Sequence, residues 1–126
     1  MKYLERLEVG AGYVLFEKGA KGDDLFFVES GRVSALLTVA GEAVPRRLRS
    51  MGAGTVVGEM GLYLSIERTA TVVTEQESVL YRLTKKALAD IEAQDLELAC
   101  ALHRFFIRLL SERLSHANEE LAVAGR

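Results

Sequence analysis

Cysteine is nearly absent from this chain: Cys100 stands alone among 126 residues. One thiol cannot close an internal disulfide, so the chain fits a reducing, cytoplasmic compartment. Set among Leu98, Ala99, Ala101 and Leu102, it is expected to be buried and inert. Histidine is almost as scarce, with only His103 and His116. A metal site built on strands needs several histidine or carboxylate ligands converging. No such set is present, so no metal and no cofactor are expected, and the two histidines read as a surface or interface pair. Excess positive charge is missing too. Sixteen Lys and Arg against eighteen Asp and Glu leave a net charge of −2, which argues against direct nucleic-acid binding. No run approaches the ~20 apolar residues that span a bilayer, so no membrane insertion by this chain is expected. Met1 to Val9 carries Lys2, Glu5, Arg6 and Glu8, with no apolar core of a signal peptide. No serine, cysteine or threonine sits in a nucleophile setting with His and Asp partners. The chain therefore reads as non-enzymatic, without catalytic residues.

What is present is one domain's worth of chain, 49% hydrophobic and 27% charged, ordinary for a globular fold. The first ~80 residues read as strands and the last ~40 as helix. Strands are expected at Tyr13–Phe16, Leu25–Glu29, Gly31–Val39, Arg46–Met51, Thr55–Val57, Thr69–Thr74 and Ser78–Leu83. Ten of the eleven glycines precede position 62, where the tight turns must lie. Short strands with glycine turns, followed by helices, predict an α+β domain built on an antiparallel sandwich. A single domain over 1–126 is expected, with the strands at about 10–83 and the helices at about 84–122. Thr84 suits the N-cap of a helix over Lys85–Gln94, and Asp95 that of a longer one after it. Leu98, Leu102, Phe105 and Leu109 form one helical stripe; Phe106, Leu110, Leu114, Ala117 and Leu121 form a second. Past Ser111 the apolar arc narrows to a seam between charges. The terminal turns are expected to meet a second copy of the chain, a ligand-dependent surface or a parent domain. A start and stop so close to the folded region suggest a module from a longer protein.

The chemistry concentrates in Gly58–Thr71, which opens on glycine and a carboxylate and closes on an arginine before a strand. An arginine fork matches phosphate oxygens two at a time. The first N–H groups of a helix also favour an anion, and the acceptor-only Glu59 suits a sugar hydroxyl. A molecule carrying both hydroxyls and a phosphate fits this pattern. Val57-Gly58-Glu59-Met60-Gly61-Leu62 and Glu67-Arg68-Thr69-Ala70-Thr71-Val72 resemble the phosphate-binding cassette of the cyclic-nucleotide-binding domain family. Upstream, Phe16-Glu17-Lys18-Gly19, Gly22-Asp23-Asp24-Leu25-Phe26-Phe27-Val28 and Ser30-Gly31-Arg32-Val33 are similar to its first strands and glycine turns. Val57, Gly61 and Glu67 depart from the family's Phe, Ala and Pro. Glu67 places a negative charge beside the expected phosphate.

The resemblance implies an antiparallel β-roll, a jelly-roll-like sandwich, with a short cassette helix at about Glu59–Leu64 and ligand-responsive C-terminal helices. It implies a cyclic nucleotide as ligand, cAMP first and cGMP as a second candidate, since Thr69 is the variant linked to guanine acceptance in kinase members. Glu59 would accept the ribose 2′-hydroxyl and Arg68 would pair with the cyclic phosphate. Thr69 would add its hydroxyl and N–H, while Gly58, Met60 and Ala70 allow close backbone approach. Val56, Val57, Leu62, Thr71 and Val73 could line the base slot. Tyr3–Val9 and the Leu98–Leu121 ending also resemble cytoplasmic tail domains of bacterial sulfate-permease-type transporters. The rival reading is a degenerate roll, kept as a structural or interaction module without nucleotide binding. Gly52–Gly58 lacks the spacing and the βαβ context of a dinucleotide loop. Arg46, Arg47 and Arg49 read as a solvated face or as partners of nearby carboxylates.

Overall fold

The computed structural model describes residues 3–64 and 67–124, of which 60, 61, 64 and 116–124 are described by backbone alone. The chain divides into two compact units, Met1–Leu88 and Ala89–Arg126. The first holds eight strands: β1 Glu5–Val9, β2 Val14–Phe16, β3 Asp24–Ser30, β4 Val33–Leu37, β5 Arg46–Met51, β6 Val56–Val57, β7 Thr71–Thr74 and β8 Ser78–Thr84. The short helix α1 covers Glu59–Leu64 between β6 and β7, and α2 runs over Lys85–Gln94. Two four-stranded antiparallel sheets form, in the orders β1-β8-β3-β6 and β2-β7-β4-β5. This is the antiparallel β-roll with helices that the sequence implies.

Both sheets contribute to one core. Phe26, Val28, Val57 and Leu80 come from the first sheet, and Val33, Met51 and Val72 from the second. Strand alternation makes this work: Val72 and Thr74 are buried on β7, while Thr71 and Val73 face the other way and stay half-buried. The buried Thr74 hydroxyl is satisfied, accepting from Tyr13 N–H at 2.9 Å and donating to Gly10 C=O at 2.6 Å, as a buried polar group requires. The β3–β4 turn depends on Gly31, whose φ is +93°. A Cβ there would lie 2.1 Å from Ser78 Oγ and 2.6 Å from the Glu77 carbonyl.

Two differences from the sequence-based expectation concern strands. β1 lies upstream of residue 10, pairing Glu5 with Arg82 and Leu7 with Leu80. It is an edge strand whose charged residues mask the Leu7 and Val9 alternation. Thr69 and Ala70 form a bend before β7 rather than part of it, because the adjacent backbone is already paired. Arg68 N–H donates to Ala20 C=O at 2.9 Å and Gly19 N–H to Arg68 C=O at 2.8 Å.

Thr84 caps α2 through Ala87 N–H at 3.0 Å. In the second unit Asp95 caps α3, Leu96–Ala124, through Leu98 N–H at 3.1 Å. Ala99 and Phe106 on α3 are buried, whereas Leu98, Phe105, Ile107 and Leu114 are exposed. Cys100 is exposed rather than buried: one residue past Ala99 turns it about 100° off the buried line. His103 Nε2 lies 3.4 Å from Glu92. His116, Ala117 and Leu121 fall outside the residues whose side chains are described. Among the described residues no helix is long and apolar enough to cross a membrane.

On the second sheet Arg46 pairs with Glu42, and Arg47 with Glu75 at 2.8 Å. Hydrogen bonds from Ser50 and Ser34, helped by Arg47, hold the Glu75 carboxyl at about 2, below its ordinary 4.5. A lowered folded-state value means stability that is fully present above the unfolded value and lost as pH falls through the folded one. The stability gap between wild type and Glu75→Gln should therefore be full above pH 4.5 and close toward pH 2. Urea unfolding midpoints measured across that range check this; a pH-independent gap contradicts it.

Candidate functional site

The site begins where β6 ends. Gly58 turns the chain at φ +88° into α1, whose first residue is Glu59. Only glycine fits this turn. A Cβ would lie 2.9 Å from Arg68 Nη1, 3.0 Å from the Asp24 carbonyl and 3.3 Å from the Phe16 ring. Across from it, the backbone pairing of Arg68 with Gly19 and Ala20 delivers the guanidinium into the roll.

Arg68 is buried, with 4% of its side chain exposed. Nη2 donates to the Asp24 carbonyl at 2.8 Å and to Asp24 Oδ1 at 2.5 Å, and Nη1 donates to the Gly58 carbonyl at 3.2 Å. The guanidinium carbon stands 4.1 Å from the centroid of the Phe16 ring, a cation–π contact that gains from desolvation. Gly22 leaves room on another side, where a Cβ would come within 2.8 Å of Nη2. Nε is buried and has no hydrogen-bond partner among the described residues. Burial pushes the Arg68 pKa down, and the charges of Asp24, Asp23 and Glu59 oppose that. Arginine nevertheless stays charged.

Asp24 serves two arginines. Its Oδ2 accepts from Arg82 Nε at 2.6 Å, and this bond is the main cause that raises the Arg82 pKa. Arg82 also lies 3.6 Å from Glu5 on β1. A line of alternating charge, Glu5, Arg82, Asp24, Arg68, thus runs from the surface inward.

Of the residues singled out in the sequence, Gly58, Glu59 and Arg68 come together around this guanidinium. Glu59 is buried, and its charge acts on Arg68. Thr69 is exposed and Ala70 half-buried in the bend after Arg68. Met60 is described by its helical backbone only, and Ser65 and Ile66 lie outside the described residues. Val56, Val57 and Leu62 are buried, Val57 within the core between the sheets. Thr71 and Val73 share the half-buried face of β7, and Thr71 Oγ1 already accepts from Lys18 N–H at 3.0 Å. Glu67 is exposed and bridges to Lys21 by backbone, whereas the neighbouring Arg68 is buried. Sequence reasoning missed Asp24, Phe16, Gly22 and Arg82 as members of the site. The signal was the acidic pair Asp23-Asp24 directly after Gly22. Among the described residues no cluster of three or more His, Cys, Asp or Glu could hold a metal.

The family model for the cyclic nucleotide-binding domain matches residues 6–95. An uncharacterized protein of Mycobacterium tuberculosis is 37% identical over 120 residues, which is 94% of this chain and 22% of that protein. The cyclic AMP receptor protein of Thermus thermophilus is 31% identical over 121 residues, covering 96% of this chain and 54% of that protein. The chain thus spans between about a fifth and a half of these relatives' length. A crystal structure of a cyclic nucleotide-binding domain from Methylobacillus flagellatus superposes with a TM-score of 0.83 at 22% identity, over 91% of this chain and 64% of that one. At that identity the likeness is one of fold.

Gly58→Ala should lower stability by about 2 kcal/mol or more, combining the positive-φ cost with the clash at Arg68. Gly12→Ala, at φ +83° with nothing within 4 Å of its Cβ, is the control and should lose only about 1 kcal/mol. Equal losses in chemical denaturation would contradict the packing role assigned to Gly58.

Proposed function

The chain belongs to the cyclic nucleotide-binding domain family, and from that membership we propose a regulatory, non-enzymatic module that binds a cyclic nucleotide in the Gly58–Thr71 cassette. cAMP is the first candidate ligand and cGMP the second. The observation that carries this reading is Arg68: a buried guanidinium set between Gly22 and Gly58, whose Nε–H has no partner among the described residues. In this proposal Arg68 takes the cyclic phosphate and Glu59 the ribose hydroxyl. Thr69 adds its hydroxyl and N–H, while Gly58, Met60 and Ala70 admit close approach of the backbone. Leu62, Thr71 and Val73 flank the base, with Val56 and Val57 in the packing behind. The similarity to a protein named for cyclic AMP favours cAMP.

Binding signals only if it has different free energies in two arrangements of the protein. We assign the readout to the C-terminal helices, where Leu98 and Phe105 on one side of α3, and Ile107 and Leu114 on the opposite side, leave apolar side chains exposed for a second copy or a parent domain. The lone Cys100 suits a cytoplasmic setting.

One observation favours the rival reading of a roll without ligand: Arg68 is already bonded to Asp24. Thermal unfolding with cAMP and with cGMP separates the two. A ligand at ~100 times its dissociation constant should stabilise the fold by about 2.7 kcal/mol. No shift with either nucleotide at about millimolar concentration supports the interaction module. Arg68→Ala, checked for native circular dichroism, should weaken cAMP binding about tenfold or more in calorimetry, as expected for losing a charge-assisted hydrogen bond. Wild-type affinity in that variant contradicts the assignment of the phosphate to Arg68.

A further inference from the structure

We propose that Arg82, outside the cassette, is a positioning residue that sets nucleotide affinity by holding Asp24 when an anion takes Arg68. This rests on the reading of Arg68 as the phosphate ligand. Asp24 Oδ1 bonds Arg68 and Oδ2 bonds Arg82, so a single carboxylate bridges two cations. The Asp24 side chain is only 15% exposed. Arg68 presents Nη2 to this carboxylate, and Nε, buried and without a partner among the described residues, shares an edge of the guanidinium with Nη2. A phosphate that engages Arg68 two oxygens at a time needs that edge, and so displaces or crowds Oδ1.

The exchange has an electrostatic consequence. A displaced Asp24 without a cation would be a largely buried carboxylate beside an incoming anion, and both effects oppose binding. Arg82 prevents this, because it keeps Oδ2 at 2.6 Å while itself anchored toward Glu5. With 38% of its side chain exposed, Arg82 can hold Asp24 without being buried itself. Asp24 is then an internal competitor for Arg68, and Arg82 is the residue that weakens the competition.

The two residues should move affinity in opposite directions, which a merely structural pair would not do. Calorimetric titration with cAMP should show Arg82→Gln binding about tenfold more weakly than wild type, the size expected for one charge-assisted hydrogen bond. Asp24→Asn keeps an acceptor for Arg68 but removes the competing charge, and should bind more tightly than wild type. In the Asp24→Asn background, Arg82→Gln should have no further effect, the signature of action through Asp24. If Asp24→Asn fails to fold, the half-exposed Arg82→Gln still decides. Binding by Arg82→Gln equal to that of wild type, or weaker binding by a folded Asp24→Asn, overturns this inference and leaves the cassette reading intact. Absence of cAMP binding in wild type and every variant overturns the cassette reading and this inference together. Binding by Asp24→Asn alone supports it.

Discussion

One carboxylate shared by two arginines organises the end of the roll where Gly58 and Arg68 meet. Burying the Arg68 guanidinium is costly unless its donors are met, and Asp24 meets Nη2 twice, by carbonyl and by carboxylate. The neighbouring constraints follow from that burial. Phe16 offers its ring as a floor, and Gly22 and Gly58 are the positions where a Cβ would press on the guanidinium. The Arg68 backbone is pinned to Gly19 and Ala20 so that the side chain has one way to go. Three segments, residues 16–24, Gly58 and Arg68 itself, converge because one cation must be satisfied.

Local physics made much of this fold legible in the sequence. Glycines marked the turns, and Thr84 and Asp95 were readable as caps because their side chains bond N–H groups three residues on. The cassette helix and α2 stand where the sequence places them, at Glu59–Leu64 and Lys85–Gln94. What could not be read involves distance or exposure. Asp24 reaches Arg68 across 44 positions and Arg82 across 58, and no local pattern encodes such a meeting. β1 was obscured because an edge strand carries charges that weaken its alternation. Cys100 misled because its apolar neighbours in sequence are not its neighbours on a helix face.

Glu67 shows how burial sorts charges that sequence lists side by side. Adjacent to Arg68 in the chain, it reads as a threat to an anion. In the fold it is exposed, in a two-residue bridge with Lys21, where water weakens its field. The acidic group with the shortest path to the guanidinium is instead Asp24. The carboxylate bonded to Arg68 thus comes from the first residue of β3, within the frame of the roll itself.

The nesting of the strands carries a different consequence. β1 pairs with β8 and β2 with β7, so Glu5 meets Arg82 and Val14 meets Val73. Almost the whole roll must exist before its outermost pair can close. Such non-local pairings fold slowly, because loop closure is lost before contacts are gained. On a ribosome the first strand must wait, unpaired, until the eighth has emerged. The β4–β5 hairpin is the local piece available earlier. For this architecture the hazard of misassembly belongs to the interval of synthesis rather than to the finished protein.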